Sequence, residues 1–419
     1  MRVRGTGRGG RLIPGVAVAV LAATLAGGPA HAAPGDGVRD REYWLDDYGI
    51  RSAWSVTRGA GVTIAIIDTG VAGDVAELRG AVVGGADFSG VGGADGQTTI
   101  GDEGQHGTLV ASLAAGRGSG ANAGVIGAAP EASILAISVG FGQGAVDSDE
   151  QISAAVTWAV DHGADVINMS LTRNTLDWPE SWDEAFLHAA EQDVVIVAAA
   201  GNRGSGTVEV GAPATIPGVL TVGGVDENGA ASWDASAQGI TIGVAAPSER
   251  LVGVAPNGRI VTWAGTSGAT PIVAGIVALV RAAHPELDAA NVINRVVATA
   301  RDAGPPGADF SYGFGLVDAG AAVSAEVPAV TENPMGDLAD WVRINRRADA
   351  APAPAETVEP SSPHPAPESW ASDPTGILLP SVVTLELVGL PVLVVVVLAL
   401  GGAGLAVGAI RRFRPPRSR

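Results

Sequence analysis

Four residues in this chain combine reactive side chains with the setting of a site. Asp68 ends the strand-like part of TIAIIDTG (63–70), and His106 stands in GQHGTLVASLAAG (104–116). Asn202 lies in VIVAAAGNRG (195–204) and Ser267 in GTSGATPIVAG (265–275). Each is a polar residue near glycine at the expected end of a strand or start of a helix. There a side chain can face a cleft while backbone comes close to a ligand. A serine hydroxyl is a weak nucleophile until a base takes its proton. Among the histidines His106 suits that task. His31 falls in an N-terminal leader and His364 in a proline-rich stretch, while His162, His188 and His284 sit at helix ends or on polar faces. A carboxylate beside the imidazole would hold its tautomer, and Asp68 fits. An acyl-transfer intermediate also needs oxyanion donors, which the Asn202 amide and the Ser267 N–H at a helix start can supply.

The elements that must position these groups alternate along the chain. Apolar runs at 62–67, 133–139, 166–170, 194–199 and 219–222 read as buried strands. Helical patterns at 107–115, 150–162, 181–191, 270–283 and 289–300 fall between and after them. Such alternation predicts an α/β domain with a mostly parallel sheet and helices on both faces. Functional groups then gather at the carboxyl ends of the strands. Pro271 cannot donate to the Ser267 carbonyl and is tolerated in a first turn, so Ser267 is expected to begin its helix.

Composition removes other chemistries. The chain has 419 residues, no Cys, and only Arg as its basic residue type. No lysine means no P-loop lysine, Schiff base or Ser-Lys dyad. No cysteine means no disulfide, zinc-thiolate site or thiol nucleophile. A net charge of −19 argues against nucleic acid as partner, because phosphate backbones are met by clustered positive charge. The glycine-rich runs GRGSGANAG and GFGQG are loops, lacking the lysine and spacing of a phosphate cradle. Asp147–Glu150 starts a helix, where acids suit the dipole; it leaves calcium open and no metal is assigned. Asp68-Thr69-Gly70 also matches the aspartic-protease signature, but that chemistry needs two such carboxylates and no second copy occurs.

The two ends read as targeting segments. Residues 1–32 have the order of a secretory signal peptide: Arg2, Arg4, Arg8 and Arg11, then an apolar stretch, then Ala30-His31-Ala32. Residues 387–410 carry no charge and are long enough to cross a bilayer. Arg411, Arg412, Arg414, Arg417 and Arg419 follow as a basic cytoplasmic tail at 411–419. The body between is therefore expected to face away from the cytoplasm on a single span at the cell membrane. Residues 326–375, rich in Pro, Ala, Ser and Glu, are expected to be a semi-extended tether. An arm at 33–61 carries apolar residues from Tyr43 to Trp54 that would pack on the body, while its charged start, Asp36 to Glu42, is expected to stay mobile. It is too short to be an independent prodomain.

The motifs AIIDTGV, HGTLVA, ADVINMSL, AAAGN and GTSGATPIVAG, in this order, resemble those of subtilisin-type serine proteases over about residues 44–325. The resemblance implies a three-layer α/β catalytic domain at 62–325 that cuts peptide bonds in protein or peptide substrates, with no cofactor. The chain order Asp, His, Ser and the oxyanion asparagine are subtilisin's own. The roles of Asp68, His106 and Ser267 as triad and of Asn202 as oxyanion donor therefore come with the resemblance. So do the walls of the pocket for the residue before the cut: Ser170, Leu171 and Thr172 on one side, Ala199, Ala200 and Gly201 on the other. Thr172 stands where family members often have glycine, which implies a narrower pocket, and Arg173 beside it is expected to point to solvent. Gly268 stands where many members have methionine, which implies flexibility beside the nucleophile. The exported, tail-anchored layout is similar to the mycosins of type VII secretion, implying secretion-system components as partners; unlike most mycosins, this chain has no cysteine. The other reading of the same layout is a protease fold kept as a weakly catalytic or non-catalytic scaffold.

Overall fold

The computed structural model describes residues 35–142 and 146–346. The expected signal peptide, the later part of the tether, the membrane span and the basic tail lie outside these residues.

Strands β1 (Thr63–Asp68), β2 (Val82–Asp87), β3 (Ser133–Ser138), β4 (Val166–Met169), β5 (Val195–Ala199), β6 (Leu220–Val225) and β7 (Ile242–Pro247) form one sheet in the order β2-β3-β1-β4-β5-β6-β7. Every pairing in it is parallel. A hairpin of β8 (Leu251–Val254) and β9 (Ile260–Trp263) is antiparallel and leads into the helix that carries Ser267. The chain leaves β1 toward β2 and β3 on one side, then returns to β4 on the other. The carboxyl end of β1 is thus a topological switch point, where such sheets open a crevice.

In chain order the helices are α1 (Trp44–Asp47), α2 (Ile50–Ala53), α3 (His106–Ala115), α4 (Ser148–Asp161), α5 (Ser181–Glu191), α6 (Thr266–Ala283), α7 (Ala289–Ala298), α8 (Ala319–Ser324) and α9 (Leu338–Asn345). Side chains alternate across β1. Ile64 and Ile66 join the core formed with α3, α6 and the N-terminal arm, and Ala65 and Ile67 join the core under α4 and α5. Two cores around one sheet make the three layers expected from the alternation. Asp147 caps α4, its carboxylate accepting from the Asp149 N–H at 2.9 Å. Helix α6 has the length and hydropathy of a membrane span, but most of its surface is buried in the body, which accounts for its apolar sequence.

Two expectations about the flanks are corrected. The charged start of the arm is packed rather than mobile. Asp36 accepts from the Gly124 N–H at 2.9 Å, and Glu42, 1 % exposed, accepts from the Ile126 N–H at 2.8 Å. Burial pushes the Glu42 carboxyl up to about 8. Trp44, Leu45 and Ile50 are fully buried, so apolar anchoring drags the charged residues in with it. Residues 326–346, read as the start of the tether, lie against the body. Leu338 is buried, the Trp341 ring lies 4.4 Å from that of Trp178, and Arg346 donates to Asp183 at 2.8 Å and to the Trp178 carbonyl at 3.0 Å. The composition of this stretch resembles that of a linker, but its few large side chains find partners on α5 and the loop before it.

Candidate active site

Asp68 is the last residue of β1 and is 2 % exposed. The Thr69 N–H donates to its Oδ1 at 2.7 Å. His106 begins α3 and brings its Nδ1 to 2.8 Å from Asp68 Oδ1 and 2.9 Å from Oδ2. A carboxylate on that side requires the proton on Nδ1, which leaves Nε2 as an acceptor. Gly107 lets α3 come this close, because a Cβ there would run into the Gly70 carbonyl. Burial of the His106 ring favours its neutral form, but the charge and hydrogen bond of Asp68, helped by Glu103, outweigh this and raise its pKa above the usual histidine value.

Ser267 is the second residue of α6. Pro271 leaves the Ser267 carbonyl without its helical donor, and the Ser170 hydroxyl takes that place at 2.9 Å. The exchange is reciprocal: Ser267 Oγ donates to the Ser170 carbonyl at 3.3 Å. Among the described residues no hydrogen bond joins Ser267 to His106. Contacts of this kind are commonly loose before substrate arrives. The Ser267 N–H, in the first turn, has no acceptor among the described residues.

Asn202 follows β5. Its Oδ1 accepts from the Thr266 N–H at 2.8 Å and from the Thr266 hydroxyl at 2.9 Å. A backbone N–H can only donate, so the amide orientation is fixed and Nδ2 is left as the free donor. The Thr266 hydroxyl accepts in turn from the Gly201 N–H at 3.1 Å. An anion held near Ser267 would thus meet the Ser267 N–H at a helix N-terminus and the Nδ2 donor of Asn202, which is bonded to the neighbouring Thr266. That is an arrangement for acyl transfer.

The subtilase family matches residues 59–315. The chain belongs to that family. It is a serine endopeptidase of the subtilisin type. Subtilisin DY of Bacillus licheniformis is 37 % identical over 270 residues, 63 % of this chain and 92 % of that protein. Mycosin-1 of Mycobacterium tuberculosis is 33 % identical over 349 residues, 70 % of this chain and 76 % of that one. Among solved structures, MycP1 with its N-terminal propeptide removed superposes with a TM-score of 0.60 at 32 % identity, covering 69 % of this chain and 98 % of that one. MycP3 of the type VII (ESX-3) secretion system superposes with a TM-score of 0.57 at 32 % identity, covering 68 % and 88 %.

Within this subtilase fold, Ser170, Leu171 and Thr172 follow β4 while Ala199 ends β5 and Ala200 and Gly201 continue it, so the two expected walls leave adjacent strands. Arg173 does not point freely to solvent. It pairs with Asp149 and lies over the Trp182 ring, with 5.7 Å from guanidinium carbon to ring centroid. Gly268 is not a source of looseness either. It is buried in α6, and a Cβ there would run into Leu251 Cδ1 and come within 3.3 Å of the Trp263 ring. Leu251 and Trp263 fill the space a larger residue would take. Trp263 in turn packs edge-to-face with His106, ring centroids 5.8 Å apart. Sequence reasoning missed Thr266 and Trp263. The adjacency of Thr266 to Ser267 and of both to a glycine was the only available signal. Among the described residues no group of three or more His, Asp or Glu side chains is gathered as a metal site.

Proposed function

We propose that the chain is a membrane-anchored protease of the cell exterior that cleaves protein or peptide substrates through Asp68, His106 and Ser267. In this reading His106 Nε2 takes the Ser267 proton as Oγ attacks the scissile carbonyl, Asp68 stabilises the imidazolium, and Asn202 Nδ2 with the Ser267 N–H holds the oxyanion. The observation that carries it is the His106 ring held by the buried Asp68 carboxylate, together with an asparagine that is bonded to the residue before Ser267 and whose donor is oriented and unused. Charge-free residues 387–410 and the arginines after them support the anchor and its orientation. The likeness to mycosin-1 and to MycP structures of type VII secretion supports secretion-system components as partners.

Labelling the full-length protein with a fluorophosphonate tests the nucleophile. Wild type should react and Ser267→Ala should not, with peptide hydrolysis falling by several orders of magnitude. Equal labelling of both would end the assignment. The Ser267 hydroxyl donating to the Ser170 carbonyl favours a second reading, a weakly catalytic scaffold, because that bond holds the hydroxyl proton away from His106. Slow labelling that accelerates when peptide is added supports the protease; no labelling under any condition supports the scaffold.

A further inference from the structure

We infer that Thr207 and Thr172 together close the pocket for the residue before the cut, so that the enzyme takes polypeptides with Gly, Ala or Ser at that position. The inference rests on reading 170–172 and 199–201 as the pocket walls. Gly201 is in the left-handed region, φ 100°, so its α-hydrogen positions face directions that a side chain could not take without strain. A carbon placed where its Cβ would stand overlaps the Thr207 methyl, with Thr207 Cβ at 3.0 Å. The same point lies 3.4 Å from Thr172 Cγ2, on the facing wall. The Thr207 side chain therefore fills the space beside Gly201, with the Thr172 methyl in van der Waals range of the same point.

Both side chains are locked in place. The Thr172 hydroxyl donates to the Arg173 carbonyl at 2.9 Å, which fixes its methyl toward Gly201. The Thr207 hydroxyl donates to Asn174 Oδ1 at 2.6 Å, its N–H donates to the Asn202 carbonyl at 3.0 Å, and the residue is 4 % exposed. Thr207 also lines a surface cavity of about 260 Å³ with Asn174, Leu176 and Val210. It stands between that cavity and Gly201, so it separates the pocket from space a large side chain could use. A hydrophobic pocket discriminates by about 10–200-fold per methylene it cannot hold.

The test uses the full-length protein and Thr172→Gly, Thr207→Gly and the double variant, with Thr207→Ala as the milder change and thermal unfolding to confirm folding. Cleavage of peptides differing only in Ala or Phe before the cut is measured. In parallel, calorimetry measures binding of product-like peptides ending in Ala or Phe to the same variants built on Ser267→Ala. Wild type should favour Ala over Phe by about 100-fold or more in kcat/KM, and the double variant should reduce this at least about 10-fold, mainly by accepting Phe. If nothing is cleaved but Ala-ended peptides still bind better and the double variant relaxes that preference, the catalytic reading fails and the pocket inference stands. Equal use of Phe by wild type, a preference unchanged in folded double variant, or no binding of either peptide would overturn it.

Discussion

Thr266→Val is the most informative single change, because it alters one atom group that touches neither substrate nor base. Valine keeps the shape and removes the hydroxyl. In the folded protein that hydroxyl, on a fully buried residue, accepts from the Gly201 N–H at 3.1 Å and donates to Asn202 Oδ1 at 2.9 Å. Leaving the buried Gly201 N–H unpaired costs about 1–3 kcal/mol, and the lost bond to Asn202 about 0.5–1.5 kcal/mol. A stability loss of about 1.5–4.5 kcal/mol follows, visible as a lowered Tm. Asn202 keeps the Thr266 N–H at 2.8 Å, so its amide is tethered at one point instead of two. Complete removal of this donor lowers kcat by about 10² to 10³ in subtilisin, where the magnitude is known. Partial loss of orientation should therefore cost about 3- to 30-fold in kcat with KM little changed. The deciding assay is a double-mutant cycle with Asn202→Ala. If Thr266 acts through Asn202, Thr266→Val costs almost nothing in kcat once the amide is gone. Additive losses in kcat would refute the argument and place the hydroxyl's effect elsewhere.

Three further outcomes are expected. The His106 pKa is raised, so the base is protonated, and inactive, to a higher pH than an ordinary histidine; the acid limb of kcat/KM should lie above about 6.5. In Asp68→Asn that limb should move down as the charge is lost, and a limb that stays in place would assign it to another group. Gly268→Met should lower stability by about 1–3 kcal/mol by displacing Leu251 and Trp263, and should be partly rescued by Leu251→Ala; a neutral Gly268→Met would contradict the packing. For Glu42 the folded pKa of about 8 lies above the unfolded value of 4.5, so the folded state binds the extra proton and stability falls as pH rises from about 4.5 to 8. Glu42→Gln keeps an acceptor for the Ile126 N–H and should remove that slope, becoming the more stable protein by a few kcal/mol above pH 8 and matching wild type below pH 4.5. Chemical denaturation across pH measures this, and an unchanged slope in the variant would exclude Glu42 as its source.

What the sequence by itself determined was local. Five buried positions before Asp68, the helix pattern after His106 and Pro271 four places beyond Ser267 encode where strand and helix ends fall, because hydrophobic period and proline geometry act within one element. The five motifs in order then carried the family. The strands it missed are β2 and β7, the edges of the sheet, and the short hairpin. Val82–Asp87 contains two glycines and is only half-buried, so it lacks the apolar run that marks the central strands. The tertiary structure decided what depends on close approach between distant segments. Thr266 meets Asn202 across 64 positions, Thr207 comes to rest against Gly201, and Glu42 is carried into the interior by the aromatic residue two places on. Residues 326–346 are also held by tertiary contacts, Trp341 on Trp178 and Arg346 on Asp183, within a stretch whose composition alone reads as linker. Periodicity records which face of an element is buried; it does not record which particular side chain from elsewhere comes to rest against it, and that choice sets the width of a pocket and the aim of a donor.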